Sequence, residues 1–210
     1  MIGIFGGSFD PIHFGHIKLV LTLLEHYEFE SIRLIPCQLS PHKEKNFASA
    51  KHRFAMLKLV VDSEDKLIAD DRELKRPGSS YSVDTLQELR EEFGANQTLV
   101  MILGTDAFAN FCDWHKYAEI LSLCHIMLLP RPSYELPKEG CEKELFDACH
   151  SKDIETIRQT SNGNIYLSEE EEYDVSSTKI RQIIASGQQP RYLLPGNIWN
   201  YIRRNELYKK

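Results

Sequence analysis

Residues 6–16 read Gly6-Gly7-Ser8-Phe9-Asp10-Pro11-Ile12-His13-Phe14-Gly15-His16, and this stretch decides the fold. It follows a short apolar run, Ile2, Ile4 and Phe5, and precedes an apolar-periodic one from Ile17 to Leu24. A buried strand, a glycine turn and a helix in that order cradle phosphate in α/β proteins. The first helical turn leaves N–H groups unpaired and carries the positive end of the helix dipole. Gly6 and Gly7 let a ligand approach the backbone and permit positive φ. Asp10-Pro11 interrupts the loop before the helix begins. His13 and His16, three apart near the helix start, share one side. Two imidazoles and a row of N–H groups therefore face one anionic ligand, with Ser8 and Phe9 in the loop that approaches it. With 8 His and 11 Gly in the chain, chance would supply H-x-G-H about 0.02 times. A pair of capping or core histidines is the bland alternative, and the glycine context outweighs it.

Working outward, strands and helices alternate. Ser31–Pro36 reads as a second buried strand, Ala50–Val61 as a helix with Phe54, Leu57 and Val60-Val61 at helical spacing, and Lys66–Ala69 as a short strand. Ser82–Phe93 reads as a helix ended by Gly94, followed by buried strands at Thr98–Leu103 and Ile126–Leu129. Strands separated by helix-length segments predict right-handed βαβ units: an α/β fold with a doubly wound parallel sheet and helices on both faces. Ligands of such sheets bind beyond the carboxyl ends of the strands. Residues 1–210 read as one domain. Within it, 133–160 is a polar, variable excursion, helical over Glu142–Arg158, and 175–210 forms a C-terminal phosphate loop and helices. The run Glu169–Glu172 reads as a solvated loop.

A second cluster comes late, in Val175-Ser176-Ser177-Thr178-Lys179-Ile180-Arg181. Ser and Thr before an apolar-periodic stretch make an N-cap. Here Lys179 and Arg181 join it, so hydroxyls, N–H groups and a guanidinium converge on a second anion site suited to a pair of phosphates. Lys43, in the loop after the second strand, is a candidate third cation.

Composition excludes several classes. The chain has 210 residues, 42% of them hydrophobic, 27% charged, and a net charge of −6. That size suits one full core, and the acidic balance argues against a broad nucleic-acid surface, which needs concentrated Lys and Arg. The first apolar run is too short for a signal peptide, and no stretch approaches the ~18 apolar residues of a membrane span. Five cysteines without C-x-x-C spacing read as free thiols in a reducing cytoplasm. A zinc site at Cys141, Cys149 and His150 lacks a fourth ligand. No G-x-G-x-x-G follows a strand and no P-loop motif occurs, which disfavours a dehydrogenase or a P-loop enzyme.

These residues resemble a known family. The loop GGSFDPIHFGH and the segment SSTKIR together look like the nucleotidyltransferase superfamily with a Rossmann-like fold. Within it, Ser40-Pro41-His42-Lys43, Glu73-Leu74-Lys75-Arg76, Ser80–Thr85, Gly104-Thr105-Asp106 and Phe111–Trp114 look like the bacterial nicotinate mononucleotide adenylyltransferases. The resemblance covers 1–132 and 174–208. It implies adenylyl transfer from ATP to nicotinate mononucleotide, giving nicotinate adenine dinucleotide and pyrophosphate. It implies that His13 and His16 donate to ATP phosphates and that Ser177, Thr178, Arg181 and Lys43 hold the departing pyrophosphate. On the acceptor side it implies that Trp114 stacks on the pyridine ring, that Thr85 and the backbone N–H of His115 receive its carboxylate, and that Gly104 and Asp106 meet the ribose. His115 departs from the aromatic residue usual there. Mg²⁺ is expected to arrive on ATP with most of its water shell. The expected partners are ATP and the mononucleotide, with neither nucleic acid nor membrane, and self-association into a homo-oligomer is left open. The alternatives are a related transferase acting on nicotinamide mononucleotide or another phosphomonoester, a synthetase with the same H-x-G-H loop, and a non-catalytic nucleotide-binding protein. The last would be expected to lose His16 or Arg181, and both are present.

Overall fold

Along the chain run β1 (Ile2–Gly7), α1 (Phe14–His26), β2 (Ser31–Pro36), α2 (Ala50–Val61), β3 (Leu67–Ala69) and α3 (Arg72–Lys75). There follow α4 (Ser82–Phe93), β4 (Leu99–Gly104), α5 (Thr105–Phe108), a 3-10 turn at Phe111–Asp113, α6 (Tyr117–Leu123) and β5 (His125–Leu129). The chain continues through α7 (Cys141–Cys149), β6 (His150–Ser151), α8 (Ile154–Gln159), β7 (Ile165–Leu167), α9 (Ser177–Ala185) and α10 (Gly196–Arg204). This computed structural model describes residues 1–39, 46–131, 134–170, 173 and 175–209. Lys43, expected as a third cation, lies outside the described residues.

The strands form one seven-stranded sheet in the order β3-β2-β1-β4-β5-β7-β6, and every pairing is parallel. β1 lies in register with β2 from Ile2–Ser31 to Gly7–Pro36. Its other neighbour is β4. The order runs one way from β1 to β3 and the other way from β4 outward, so the strand ends diverge between β1 and β4.

Side chains alternate through the sheet. Phe5, Ile32, Leu34, Val100, Ile102, Met127 and Leu129 face a core with Leu19, Val20 and Leu23 of α1, Met56, Leu57 and Val60 of α2, Ile180 of α9 and Ile198 and Ile202 of α10. Ile2, Ile4, Met101, Leu103, Ile126 and Leu128 face a second core with Val83, Leu86 and Leu89 of α4, Phe108, Phe111 and Ile120. Two-sided burial is why the strands read as continuous apolar runs instead of alternating ones. Each such side chain contributes about 1.5–3 kcal/mol when removed from water.

The excursion departs from expectation twice. In place of one helix over Glu142–Arg158, α7 stops at Cys149, and His150–Ser151 extends to pair with β7 at the sheet edge. Edge pairing overrides helix propensity there, and the three residues of β7 are too few to show a period. Cys112 and Cys141, expected as free thiols, form a disulfide, while Cys37, Cys124 and Cys149 remain thiols. The fold brings the 3-10 turn against the start of α7, with Cα atoms 6.3 Å apart. A separation of 29 residues carries no trace of that approach. Cys141 is thereby also removed from the zinc set considered above.

Gly3 shows how tightly the central strand is packed. A Cβ there would lie 2.9 Å from Ile32 Cγ1 and 3.2 Å from Ile102 Cδ1. Gly3→Ala is expected to destabilise the fold by about 1–3 kcal/mol through overpacking. Urea unfolding at unchanged m-value checks it, and an unshifted midpoint would show that the sheet face can yield.

Candidate active site

Beyond the carboxyl ends of β1 and β4 the chain encloses a cavity of about 490 Å³. Its walls come from the β1 loop (Gly6, Gly7, Ser8, Phe9), the start of α1 (His13, Gly15, His16), the end of β4 (Leu103, Gly104), Trp114 and His115, and the start of α9 (Ser176, Ser177, Thr178, Arg181). Thirteen residues of the sequence-derived set thus meet at one switch point: the four of the loop, both histidines, Gly104, Asp106, Trp114, His115, Ser177, Thr178 and Arg181.

His13 is the N-cap of α1, with extended backbone at φ −147° and ψ 172°. Its Nδ1 accepts from the His16 N–H, and His16 Nδ1 accepts in return from the His13 N–H, both at 3.4 Å. This is a capping box built from two imidazoles. With Nδ1 an acceptor in each neutral ring, the remaining proton sits on Nε2. The rings stack with centroids 3.7 Å apart and planes 16° from parallel. Gly15 makes this possible, because a Cβ there would lie 3.1 Å from the His13 ring and 3.2 Å from Val175. Burial, with a smaller repulsion from Arg131, lowers the His13 pKa from 6.5 to about 4. His13 is therefore a neutral hydrogen-bond donor at physiological pH, not a cation.

The loop glycines serve space more than dihedral freedom. Neither has positive φ; that conformation falls on Phe9, at 45°. A Cβ on Gly6 would meet nothing within 4 Å, so its absence leaves that volume to the cavity. Behind the loop, the fully buried Arg53 donates to Ser8 O (2.8 Å), Ala48 O (3.3 Å) and Gln38 O (3.5 Å).

At α9, Ser176 is the N-cap and accepts from Lys179 N–H at 3.1 Å. Ser177 Oγ donates to Pro11 O at 2.9 Å, so this hydroxyl ties the two loops together. Arg181 donates to Asp10 O (2.7 Å) and Thr178 Oγ1 (3.1 Å), and its guanidinium lies 4.2 Å from the centre of the Phe47 ring. Lys179 is exposed and is not among the cavity-lining residues.

At the opposite end, Gly104 caps α5 and Asp106 pairs with Arg131. Trp114 is half-buried against Phe111, with ring centres 5.3 Å apart. His115 lies 4.4 Å from the Tyr81 ring centre. Thr85 stands apart from the rest. It is 3% exposed and behind the wall, its hydroxyl donating to Glu73 Oε1 (2.7 Å) and accepting from Arg76 (2.8 Å). Glu73 does line the cavity, and burial raises its carboxyl above the usual range while the Thr85 and Ser80 hydroxyls pull the other way. The start of α4, at Tyr81 and Ser82, opens onto this end.

Sequence reasoning missed Arg131, Arg53 and Glu73. Arg131 had a usable signal: a cation two residues past the end of a buried strand, where ligands of parallel sheets collect. Arg53 had none, because its role depends on which carbonyls the fold brings to it; Glu73 stands in the Glu73-Leu74-Lys75-Arg76 stretch that carries the resemblance, but no role is legible there without the fold.

Comparison with known proteins follows the same lines. The cytidylyltransferase-like family model matches residues 4–183. A probable nicotinate-nucleotide adenylyltransferase of Cellvibrio japonicus is 39% identical over 208 residues, covering 99% of this chain and 98% of its own. One from Hahella chejuensis is 41% identical over 212 residues, covering 99% and 95%. Among solved structures, Plasmodium falciparum nicotinic acid mononucleotide adenylyltransferase complexed with NaAD superposes with TM-score 0.75 at 18% identity, covering 99% and 96%. At that identity the likeness is one of fold.

His13 makes stability depend on pH. Its folded pKa lies below the unfolded value, so the unfolded chain binds more protons between pH 6.5 and 4. Stability is therefore full above pH 6.5 and falls as pH drops toward 4, by up to about 3 kcal/mol at ~1.4 kcal/mol per pKa unit. Urea unfolding of His13→Gln across this window is expected to show a shallower slope than wild type. An identical slope would assign the acid sensitivity to other groups.

Proposed function

Because the chain belongs to the nicotinate-nucleotide adenylyltransferases of the cytidylyltransferase-like family, we propose that it transfers the adenylyl group of ATP to nicotinate mononucleotide, releasing pyrophosphate and forming nicotinate adenine dinucleotide for NAD biosynthesis. The observation that carries this reading is a single cavity with two chemically different ends. One end collects the histidine pair, the start of α9 and Arg181; the other presents Trp114, Asp106 with Arg131, and the start of α4.

The chemistry suits those residues. The mononucleotide phosphate attacks the α-phosphorus, a P–O bond forms, and the bond to the β-phosphate oxygen breaks with pyrophosphate as leaving group. A phosphate monoester has a second pKa of about 6, so it is already largely dianionic and needs no general base. Catalysis then consists of alignment and charge neutralisation. His16, with its proton on Nε2, donates to the α-phosphate, His13 supports it, and Thr178 and Arg181 hold the leaving pyrophosphate. The described residues gather no three His, Cys, Asp or Glu side chains into a metal cage. Mg²⁺ belongs to the substrate, carried on the ATP phosphates. We place the reaction in the cytoplasm, as expected for thiol cysteines and two nucleotide substrates; no helix among the described residues is long and apolar enough to cross a membrane.

The acceptor carboxylate is assigned to the start of α4 and to the His115 N–H, with Thr85 acting from behind through Glu73 and Arg76. A helix N-terminus favours an anion over a neutral amide, and charge-assisted bonds are about twice as strong as neutral ones. Nicotinate mononucleotide is therefore expected to exceed nicotinamide mononucleotide by at least about tenfold to a hundredfold in kcat/KM. A coupled assay offering ATP with each mononucleotide measures this. Equal use of both would defeat the acceptor assignment, and no pyrophosphate release with either would defeat the reaction.

His16→Ala is expected to lower kcat by roughly 10²–10³, the loss typical of one transition-state donor. Near-normal turnover of the folded variant removes His16 from the mechanism.

A further inference from the structure

Resting on the adenylyl-transfer reading, we propose that Tyr208 is a positioning residue for the ATP end of the site, acting through Asp10 on the loop that carries His13 and on Arg181. The two residues are 198 positions apart, and the Tyr208 hydroxyl donates to Asp10 Oδ1 at 2.7 Å. Neither lines the cavity.

Asp10 is the junction that makes this contact matter. Its side chain is 3% exposed. The carboxylate also accepts from Phe47 N–H at 2.6 Å and Ala48 N–H at 3.1 Å, in the approach to α2. Its main-chain carbonyl accepts from Arg181 at 2.7 Å. One residue of the phosphate loop thus joins the segment before α2, the first turns of α9 and the segment after α10. A buried carboxylate holds one orientation only while its oxygens are satisfied, and hydrogen bonds to charged acceptors are the strong ones. Tyr208 supplies the side-chain donor among these three.

Two features mark Tyr208 as held in place for this contact. Its backbone sits at φ 63°, in the left-handed region that non-glycine residues seldom occupy. Burial, and then the Asp10 charge, push its phenol above the ordinary value against the opposing pull of Arg181 and Arg53, so it remains a donor throughout the physiological range. The ring packs against the core that contains Phe9 and Ile12. Without the hydroxyl, Oδ1 keeps only the Ala48 N–H, the Asp10 side chain is held less firmly, and so is the loop that presents its carbonyl to Arg181. Displacements of about 1 Å from such remote changes cost on the order of a hundredfold in rate.

Tyr208→Phe keeps the ring and removes the donor. In the full chain it is expected to weaken ATP binding about fivefold by calorimetry and to lower kcat about tenfold, with the KM of the mononucleotide changed less than twofold. A role confined to core packing would leave ATP affinity untouched, or would move both substrates together with the unfolding midpoint; either result overturns the proposal. The double variant Tyr208→Phe, Asp10→Ala is expected to bind ATP no more weakly than Asp10→Ala alone, since the second change already removes the acceptor of the Tyr208 hydroxyl. Additive penalties overturn it too. The ATP measurement stands whichever acceptor is used, so failure of the mononucleotide assignment and failure of this inference are distinguishable.

Discussion

Arg53 carries its guanidinium at 1% exposure, and a charge so placed persists only if nearby dipoles replace its water. An unpaired buried ion costs several kcal/mol or more. Three carbonyls from three segments, Ser8 in the phosphate loop, Gln38 after β2 and Ala48 before α2, supply that replacement. The dependence is mutual. Those carbonyls lie in loops outside the strand ladders, and Arg53 is the donor that all three share, with Asn46 Nδ2 also reaching Gln38 O at 3.1 Å. With the wall closed, the front of the loop can be given over to a ligand: open space at Gly6, and two imidazoles stacked over Gly15.

The electrostatics of the cavity differ from those of the surface. The chain is acidic overall, at −6, yet the described cations at the site are guanidinium groups, Arg131 and Arg181. His13 is pushed neutral by burial. This division suits a reaction in which negative charge moves along a phosphate chain. Guanidinium groups stay charged at every working pH, whereas neutral imidazoles donate directed hydrogen bonds without gathering extra anions in the ground state. Asp106 partly neutralises Arg131, and Phe47 covers one face of Arg181. Neither guanidinium is left as a bare charge.

The Trp114 end of the cavity, proposed for the acceptor, is shaped from behind. Glu73 and Arg76 grip the Thr85 hydroxyl between them, and Arg76 also holds Glu88 at 2.7 Å. The start of α4 is thereby set against the cavity. On the far side, the Cys112–Cys141 bond and the Glu142 carboxylate, which accepts from Cys112 N–H at 3.1 Å, fasten α7 to the turn that carries Trp114. The excursion is therefore joined to the acceptor wall, and its strands β6 and β7 extend the same sheet.

What the sequence determined by itself is what is local. β2 at Ser31–Pro36 and α2 at Ala50–Val61 appear at the expected boundaries because a buried strand and an amphipathic helix print their periods within one window. The H-x-G-H loop and the Ser-Ser-Thr cap print theirs too, since a cap or a turn is a relation among neighbours. The alternation of strands and helices, with right-handed crossovers, implies the parallel sheet, but the strand order that places the divergence between β1 and β4 comes from the fold. Tertiary structure decided everything that depends on distance. It withdrew the Thr85 hydroxyl behind Glu73, joined Cys112 to Cys141, broke the expected helix at His150 for an edge pairing, brought Arg53 and Tyr208 to the loop, and set Arg131 against Asp106. The physical reason is the same in each case: a hydrogen bond, an ion pair or a disulfide is specified by atoms within a few ångströms, and a linear chain records which groups exist but not which of them the packed core forces to meet.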